Sequence, residues 1–359
     1  MRLLKSSFVL LALGVATVAG GVATASAAGG APVRVIRVPG ATGWLAVDGG
    51  AAFVLRRTGH TAAVVRVDLA SGARTVAFRT DGNVDEEAQA DGGVLAFGVG
   101  LLGEPPHRQA IAIPTTPGGK PAVLRDTVSA GGDGATCARV AVDDVTPAGE
   151  VLLSTFSSPC AEPKAGTDTV SLVAPTGERT VMASPMDLSD RPLGNLVSPA
   201  LAAGPWALVT PDEQHVRLFD AAAGTTRTFA PTLRSARLWP TDLQPDGRFI
   251  LSEMLYRRDG GFVQRARLMA PGDPARGGRI IGTVGTPPRL NAMFCGGRLV
   301  VLQTRARRTR ILVDEREVAR LATPTDPRFA CDATHVVVEA GGAATRYGVV
   351  ALPPARLHQ

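Results

Sequence analysis

The sequence predicts an all-β chain, a single seven-bladed β-propeller of four-stranded antiparallel blades closed by its N-terminal strand. Three observations predict it: a turn-rich apolar composition, a hairpin pattern that occurs seven times, and a second strand-pair pattern that follows the hairpins. Of the 359 residues, 45% are hydrophobic, 41 are Gly and 27 are Pro, enough apolar material for a core and enough punctuation for many turns.

The hairpin pattern is plainest in TDLQPDGRFILSEM (241–254), where a short apolar segment, a Pro-Asp-Gly turn and a second apolar segment follow one another. Weaker copies are WLAVDGGAAFVLR (44–56), AQADGGVLAFGV (88–99), VAVDDVTPAGEVLLSTF (140–156), ALAAGPWALVT (200–210), LNAMFCGGRLVVLQT (290–304) and RFACDATHVVVEA (328–340). The second pattern, VVRVDLASGARTVAF (64–78), closely matches HVRLFDAAAGTTRTF (215–229), with looser forms at 109–124, 170–182, 266–282 and 310–322. Within 64–69, Val64, Arg66 and Asp68 alternate with Val65, Val67 and Leu69, the period of two that a strand with unlike faces requires. Each unit therefore holds about four strands, and units of this kind every 40 to 60 or so residues are the signature of a propeller. One blade cannot bury both its faces, so the ring has to close and behave as one domain. Its last unit lacks an outer strand, whereas VRVIRVP (33–39) alternates like a strand and has no blade of its own. We expect the second to complete the first and cover its open edge.

The boundaries expected are a signal peptide at 1–27, a short linker at 28–32, the propeller at 33–354 and a tail at 355–359. Arg2 and Lys5, an apolar run from Phe8 to about Ala19 and the small residues Ala25, Ser26 and Ala27 have the layout of a secretory leader cut near Ala27. The expected location is therefore extracytoplasmic, with no transmembrane segment in the mature chain. The 38 Lys and Arg against 32 Asp and Glu give +6; without Arg2 and Lys5 the balance is 36 against 32, or +4. Arginine supplies nearly all the positive charge in a chain rich in Ala and Gly, a compositional bias under which no single arginine argues for recognition.

The LQPDGRFILS stretch resembles the Pro-Asp-Gly hairpin of the TolB-like, or WD40-like, propeller repeats; VTPAGEVLLS is a weaker copy, and DLASGARTV resembles their outer-strand turn. The Trp-Asp and Gly-His pairs of true WD40 repeats are missing. The resemblance implies a binding scaffold more often than an enzyme and names no ligand.

Four cysteines in an exported chain allow three pairings, and the propeller selects one. Cys137 leads into the third blade and Cys160 lies between that blade's second and third strands, on one face of the disc; Cys295 and Cys331 sit at matching turns of blades six and seven on the other. The expected bridges are Cys137–Cys160 and Cys295–Cys331, structural in role.

No nucleophile elbow, zinc-protease pattern, phosphate loop or EF-hand is present, and His60, His107, His215, His335 and His358 do not pair. No catalytic residue, metal or cofactor is expected. Candidate ligand-binding residues lie in the loops leading into the blades: Glu86 and Glu87, Asp187, Asp190 and Arg191, Arg237 and Trp239, and Trp44. The alternative for the carboxylates is solvated loop charge; for the tryptophans it is packing between blades. The run TRARRTR (304–310) makes a basic patch of Arg305, Arg307, Arg308 and Arg310, suited to a polyanion or to protection of a hairpin edge. Nucleic acid is not expected as a partner, because the chain reads as exported and lacks interleaved aromatics.

The reading is a secreted, non-catalytic, monomeric binding module for an unidentified protein or cell-envelope ligand. Its alternative is an extracellular hydrolase or lyase with a dispersed site at the channel mouth. Convergent, perturbed carboxylates in a deep mouth would favour the enzyme, and a shallow apolar or aromatic rim the binding module.

Overall fold

A computed structural model describes residues 23–25, 33–101, 107–129, 136–160, 167–174, 177–184, 201–258, 260–285, 289–340 and 346–353. Among them every regular element is a strand. Strands β1 (Ala23–Ala25) and β2 (Val33–Arg37) precede the ring. Blade 1 contains β3 (Ala41–Asp48), β4 (Ala51–Thr58), β5 (Thr61–Asp68) and β6 (Arg74–Thr80). Blade 2 contains β7 (Asn83–Asp91), β8 (Val94–Leu101), β9 (His107–Pro114) and β10 (Ala122–Val128). Blade 3 is β11 (Thr136–Val145), β12 (Val151–Pro159), β13 (Thr167–Ala174) and β14 (Gly177–Ser184). Blade 4 is β15 (Leu201–Ala203), β16 (Trp206–Asp212), β17 (His215–Asp220) and β18 (Thr225–Phe229). Blade 5 is β19 (Arg237–Leu243), β20 (Phe249–Tyr256), β21 (Phe262–Met269) and β22 (Arg279–Gly285). Blade 6 is β23 (Arg289–Cys295), β24 (Arg298–Arg305), β25 (Arg308–Val313) and β26 (Arg316–Ala322). The chain supplies three strands to blade 7 from its end, β27 (Phe329–Cys331), β28 (His335–Glu339) and β29 (Arg346–Ala351).

The fourth strand of blade 7 is β2, antiparallel to β29 with Val33 opposite Val350 and Arg37 opposite Arg346. This is the clasp expected from the sequence, and it joins the two ends of the ring by backbone hydrogen bonds rather than by side chains alone. Outside β2 lies β1, whose residues fall inside the segment expected as a leader; cutting near Ala27 would leave seven blades of four strands each.

Seven hydrophobic clusters occupy the seven contacts between neighbouring blades, because adjacent residues of a strand point to opposite faces. Leu152 thus packs toward blade 4 while Leu153 packs toward blade 2. Phe249 and Leu251 face blade 4, where Phe249 meets Phe229 edge-on at 5.0 Å, and Ile250 between them faces blade 6. Each fully buried Leu, Ile or Phe contributes about 1.5–3 kcal/mol, as an upper estimate. No blade retains that burial alone, which is the physical reason for closure.

Two further devices lock the ring. Both expected disulfides are present: Cys137–Cys160 within blade 3, with Cα atoms 5.0 Å apart, and Cys295–Cys331 between blades 6 and 7, at 5.6 Å. Inside blade 5 an ion pair with no exposure joins Arg267 Nε to Glu253 Oε1 at 2.6 Å. Glu253 also accepts from the backbone N–H and hydroxyl of Thr232, while Arg267 donates to the carbonyls of Ala230 and Gly277. The pair therefore fixes the connection from blade 4 to blade 5, each partner hydrogen-bonded beyond the other as a buried charge demands.

Candidate functional site: an acidic chamber and a basic groove

The innermost strands all run in the same direction, so their hairpin turns gather on one face of the disc. There they enclose a chamber of about 870 Å³. Its wall carries Asp48, Asp91, Asp144, Asp242 and Asp332, contributed by blades 1, 2, 3, 5 and 7, together with Asp143. None of the described lining residues is Lys, Arg or His.

Four of these aspartates reach across to the next blade. Asp332 Oδ2 accepts from Gly50 N–H at 2.9 Å, and Asp48 Oδ2 accepts from Gly93 N–H at 3.0 Å and from the Thr115 hydroxyl at 2.8 Å. Asp144 Oδ2 accepts from Ala202 N–H at 3.1 Å, and Asp242 Oδ2 from Phe294 N–H at 2.5 Å. The junctions 7 to 1, 1 to 2, 3 to 4 and 5 to 6 are thus each buckled by one carboxylate, and 6 to 7 by the disulfide. Between blades 2 and 3 the backbones themselves close up. Gly92 has a φ of 56°, and a Cβ there would stand 2.4 Å from the Gly149 nitrogen. Only glycine meets both demands.

Asp91 differs from the other four. Its Oδ1 accepts from its neighbour Gly92 N–H at 2.7 Å, and among the described residues Oδ2 has no donor. These carboxyls are ringed by protein, and desolvation raises three of them. Asp242 is pushed up to about 7 by burial, against the N–H groups of Phe294 and Leu243 and with help from the Asp91 charge. Burial drives Asp144 well above the ordinary carboxylate range, with the Ala202 N–H opposing and the charges of Asp242 and Asp91 adding. Asp91 is raised by burial and by Asp48. Asp332 goes the other way: burial would raise it, but the donors of Thr334, Gly50 and His335 outweigh that.

Sequence reasoning places the site in the loops leading into the blades, at the opposite end of the channel. The chamber residues are visible in the repeat, as the Asp before the turn in AVDGG, QADGG, VDDVT, PTDLQ and ACDAT, but in that position an Asp reads as a turn former. Of the residues expected at the site, Trp44 lies in β3 and Glu86 and Glu87 lie in β7, at a break in register between Val84 and Ala88. Asp187, Asp190 and Arg191 lie outside the described residues. Arg237 opens β19, with its Nε 3.1 Å from Glu213 Oε2 and its guanidinium 5.6 Å from the centre of the exposed Tyr256 ring. Trp239, two residues on, is half-buried opposite Ser252.

The basic run forms the β24–β25 hairpin, its arginines exposed. Arg305, Arg308 and Arg310 line a groove of about 900 Å³ between blades 5 and 6, completed by Arg257 and Arg320; Arg307 occupies the turn itself. Among the described residues no group of three or more His, Cys, Asp or Glu is arranged to hold a metal ion, and no helix is long and apolar enough to cross a membrane.

No protein-family model and no curated protein sequence matches this chain. Solved structures do. An oligogalacturonate lyase in complex with manganese superposes with a TM-score of 0.56 at 10% identity, over 96% of this chain and 99% of the other. An acylaminoacyl peptidase from Pyrococcus horikoshii gives 0.55 at 10% identity, over 86% of this chain and 51% of the other. The β-propeller domain of the Trilobed protease from Pyrococcus furiosus gives 0.52 at 10%, over 85% and 92%. The chain has the β-propeller fold. At this identity the likeness is one of fold, and even there a difference shows: the Trilobed protease propeller has an open velcro topology, whereas here β2 pairs with β29.

Proposed function

We propose that this chain is an exported, non-catalytic binding module whose chamber takes up a cationic, donor-rich segment of a protein or cell-envelope ligand. The observation carrying the reading is the chamber wall, where aspartates from five blades face a space of about 870 Å³ that none of the described Lys, Arg or His side chains lines. Such a surface selects ammonium and guanidinium groups by charge and by hydrogen bonding. Asp91, with one oxygen given no donor among the described residues, is the carboxylate best placed to accept from the ligand. Export is supported by the leader-like pattern of 1–27 and by the two disulfides.

Titration calorimetry with a tetralysine peptide tests the reading. We expect a Kd of about 1–100 μM at about pH 8, weaker by about tenfold or more at pH 5 as the raised carboxyls take up protons. Asp91→Asn should lower the affinity about fivefold or more while leaving the melting temperature in place, because Asp91 buckles no junction. Absence of binding, or an unaffected Asp91→Asn variant, would sink the proposal.

One observation favours the enzyme reading, namely that Asp242 at about 7 stands near a second raised carboxyl, Asp144. A general acid works best with a pKa near the operating pH. Turnover of an oligosaccharide or peptide that follows a bell-shaped pH profile and vanishes in Asp242→Asn, with binding retained, would replace the binding-module reading.

A further inference from the structure

The arginine groove stands apart from the chamber, at the end of the disc where the chain leads into the blades. One wall is the end of β22 in blade 5, with Thr283, Val284 and Gly285; the other is blade 6, with Arg305, Arg308 and Arg310 on the hairpin and Arg320 on the outer strand. Arg257, from the turn after β20, lies across from them.

Three features distinguish this cluster from a solvated hairpin edge. First, positive charge is in excess among the described residues. Glu317 pairs with Arg310, Nε to Oε2 at 2.7 Å, and with Arg320, and these contacts hold Glu317 down at about 2. Arg257, Arg305 and Arg308 make no ion pair among the described residues, so five guanidiniums surround the groove with one carboxylate between them. Second, the hairpin presents them from a left-handed turn without glycine, as the next turn of blade 6 does with Asp314 and Glu315. Ala306 and Arg307 hold φ of 49° and 60° in a two-residue turn, where blades 1, 2 and 6 use Gly-Gly at 49–50, 92–93 and 296–297 for their inner hairpins. Left-handed backbone is disfavoured for a residue with a Cβ, because the Cβ crowds the following carbonyl oxygen. Third, the arginines frame a recess. Planar guanidinium forks around a groove match oxyanions spaced along a chain.

We propose that this groove binds a linear polyanion, an extended polymer carrying phosphates or carboxylates at regular intervals. Its lining has no aromatic side chain among the described residues, so nucleic-acid bases would find nothing to stack on. Being recessed between two blades, it admits a strand and would meet a flat membrane at its rim alone.

The test is fluorescence anisotropy of the full chain with two labelled probes, sodium polyphosphate and a polygalacturonate oligomer. We expect at least one to bind in the micromolar range at about 50 mM salt, the stronger identifying phosphate or carboxylate as the preferred group. Raising the salt to about 200 mM should weaken binding about 50-fold if about four charges are neutralised. Removing Arg257, Arg305 and Arg308 together as Ser variants should weaken it about 20-fold or more, with an unchanged melting temperature because all three are exposed. The same change in net charge at Arg74, Arg79 and Arg217, exposed on blades 1 and 4, should alter it by less than about threefold. The proposal is overturned if neither polymer binds, if the two triple variants lose equally, or if vesicles rich in phosphatidylglycerol capture the chain while both free polymers do not.

Discussion

Asp242 makes stability depend on pH in an unusual direction. Its carboxyl is raised to about 7 in the fold, against an unfolded value of about 3.9. A raised acid favours the folded state fully below the unfolded pKa, and that favour is lost as pH climbs to the folded pKa. Lifting a carboxyl from about 4 to about 7 corresponds to about 4 kcal/mol, lost across that same pH range. Asp144, raised from the same cause, adds to the loss. For a ring of this size the unfolding entropy converts about 4 kcal/mol into about 6 °C. Urea titrations at about pH 5 and 8 should therefore show the higher midpoint at the acid end. Asp242→Asn should shrink that difference, with the contribution of Asp144 remaining. A wild-type midpoint that rises from pH 5 to 8, or an Asn variant that keeps the full difference, would refute the desolvation argument.

Replacing Cys295 and Cys331 together with Ala should cost about 4 kcal/mol by loop entropy for a separation of 36 residues, read from urea midpoints under oxidising conditions. Arg267→Met should cost about 3–5 kcal/mol by removing the buried partner of Glu253, and adding Glu253→Leu should restore most of it in a double-mutant cycle. Gly92→Ala should be markedly worse than Gly50→Ala, by about 2 kcal/mol or more in thermal melts. Both have positive φ, but the first Cβ strikes the blade 3 backbone whereas the second meets nothing within 4 Å.

The ring was legible because its determinants are local and repeated. A hairpin needs its turn residues between two apolar runs, and the stretch 241–254 carries all of that. The clasp was legible for a complementary reason: blade 7 was visibly one strand short and 33–39 visibly one strand over, so counting sufficed. The cysteine pairs followed once blade positions were assigned, since only 137 with 160 and 295 with 331 share a face. The added strand at Ala23–Ala25 was not legible, because three small residues inside a leader-like run carry no alternation.

The chamber was hidden for a reason that reaches beyond this chain. An aspartate before a Gly-Gly turn is what a hairpin asks for in any case, so Asp48 and Asp91 taken singly carry no functional signal. What sets them apart is recurrence: an Asp stands at the end of the inner strand or within one residue of it in blades 1, 2, 3, 5 and 7, and closure of the ring brings those five to one wall. The electrostatic consequence then arises from the assembly alone. Each carboxyl that buckles a junction brings its charge near the others, and each added charge makes the next harder to ionise, as the coupling of Asp144 to Asp242 and Asp91 shows. The 6 to 7 junction uses a disulfide instead, so blade 6 adds no carboxylate to the wall, whereas blade 2 adds Asp91 without buckling a junction. A ring buckled by an aspartate at every junction would carry a larger repulsion at its centre. On this argument the alternation of fasteners is an electrostatic compromise, and Ala203→Asp, which puts a further carboxylate before the inner turn of blade 4, should raise Asp144 and Asp242 further and leave the ring no stronger in urea titrations at pH 8.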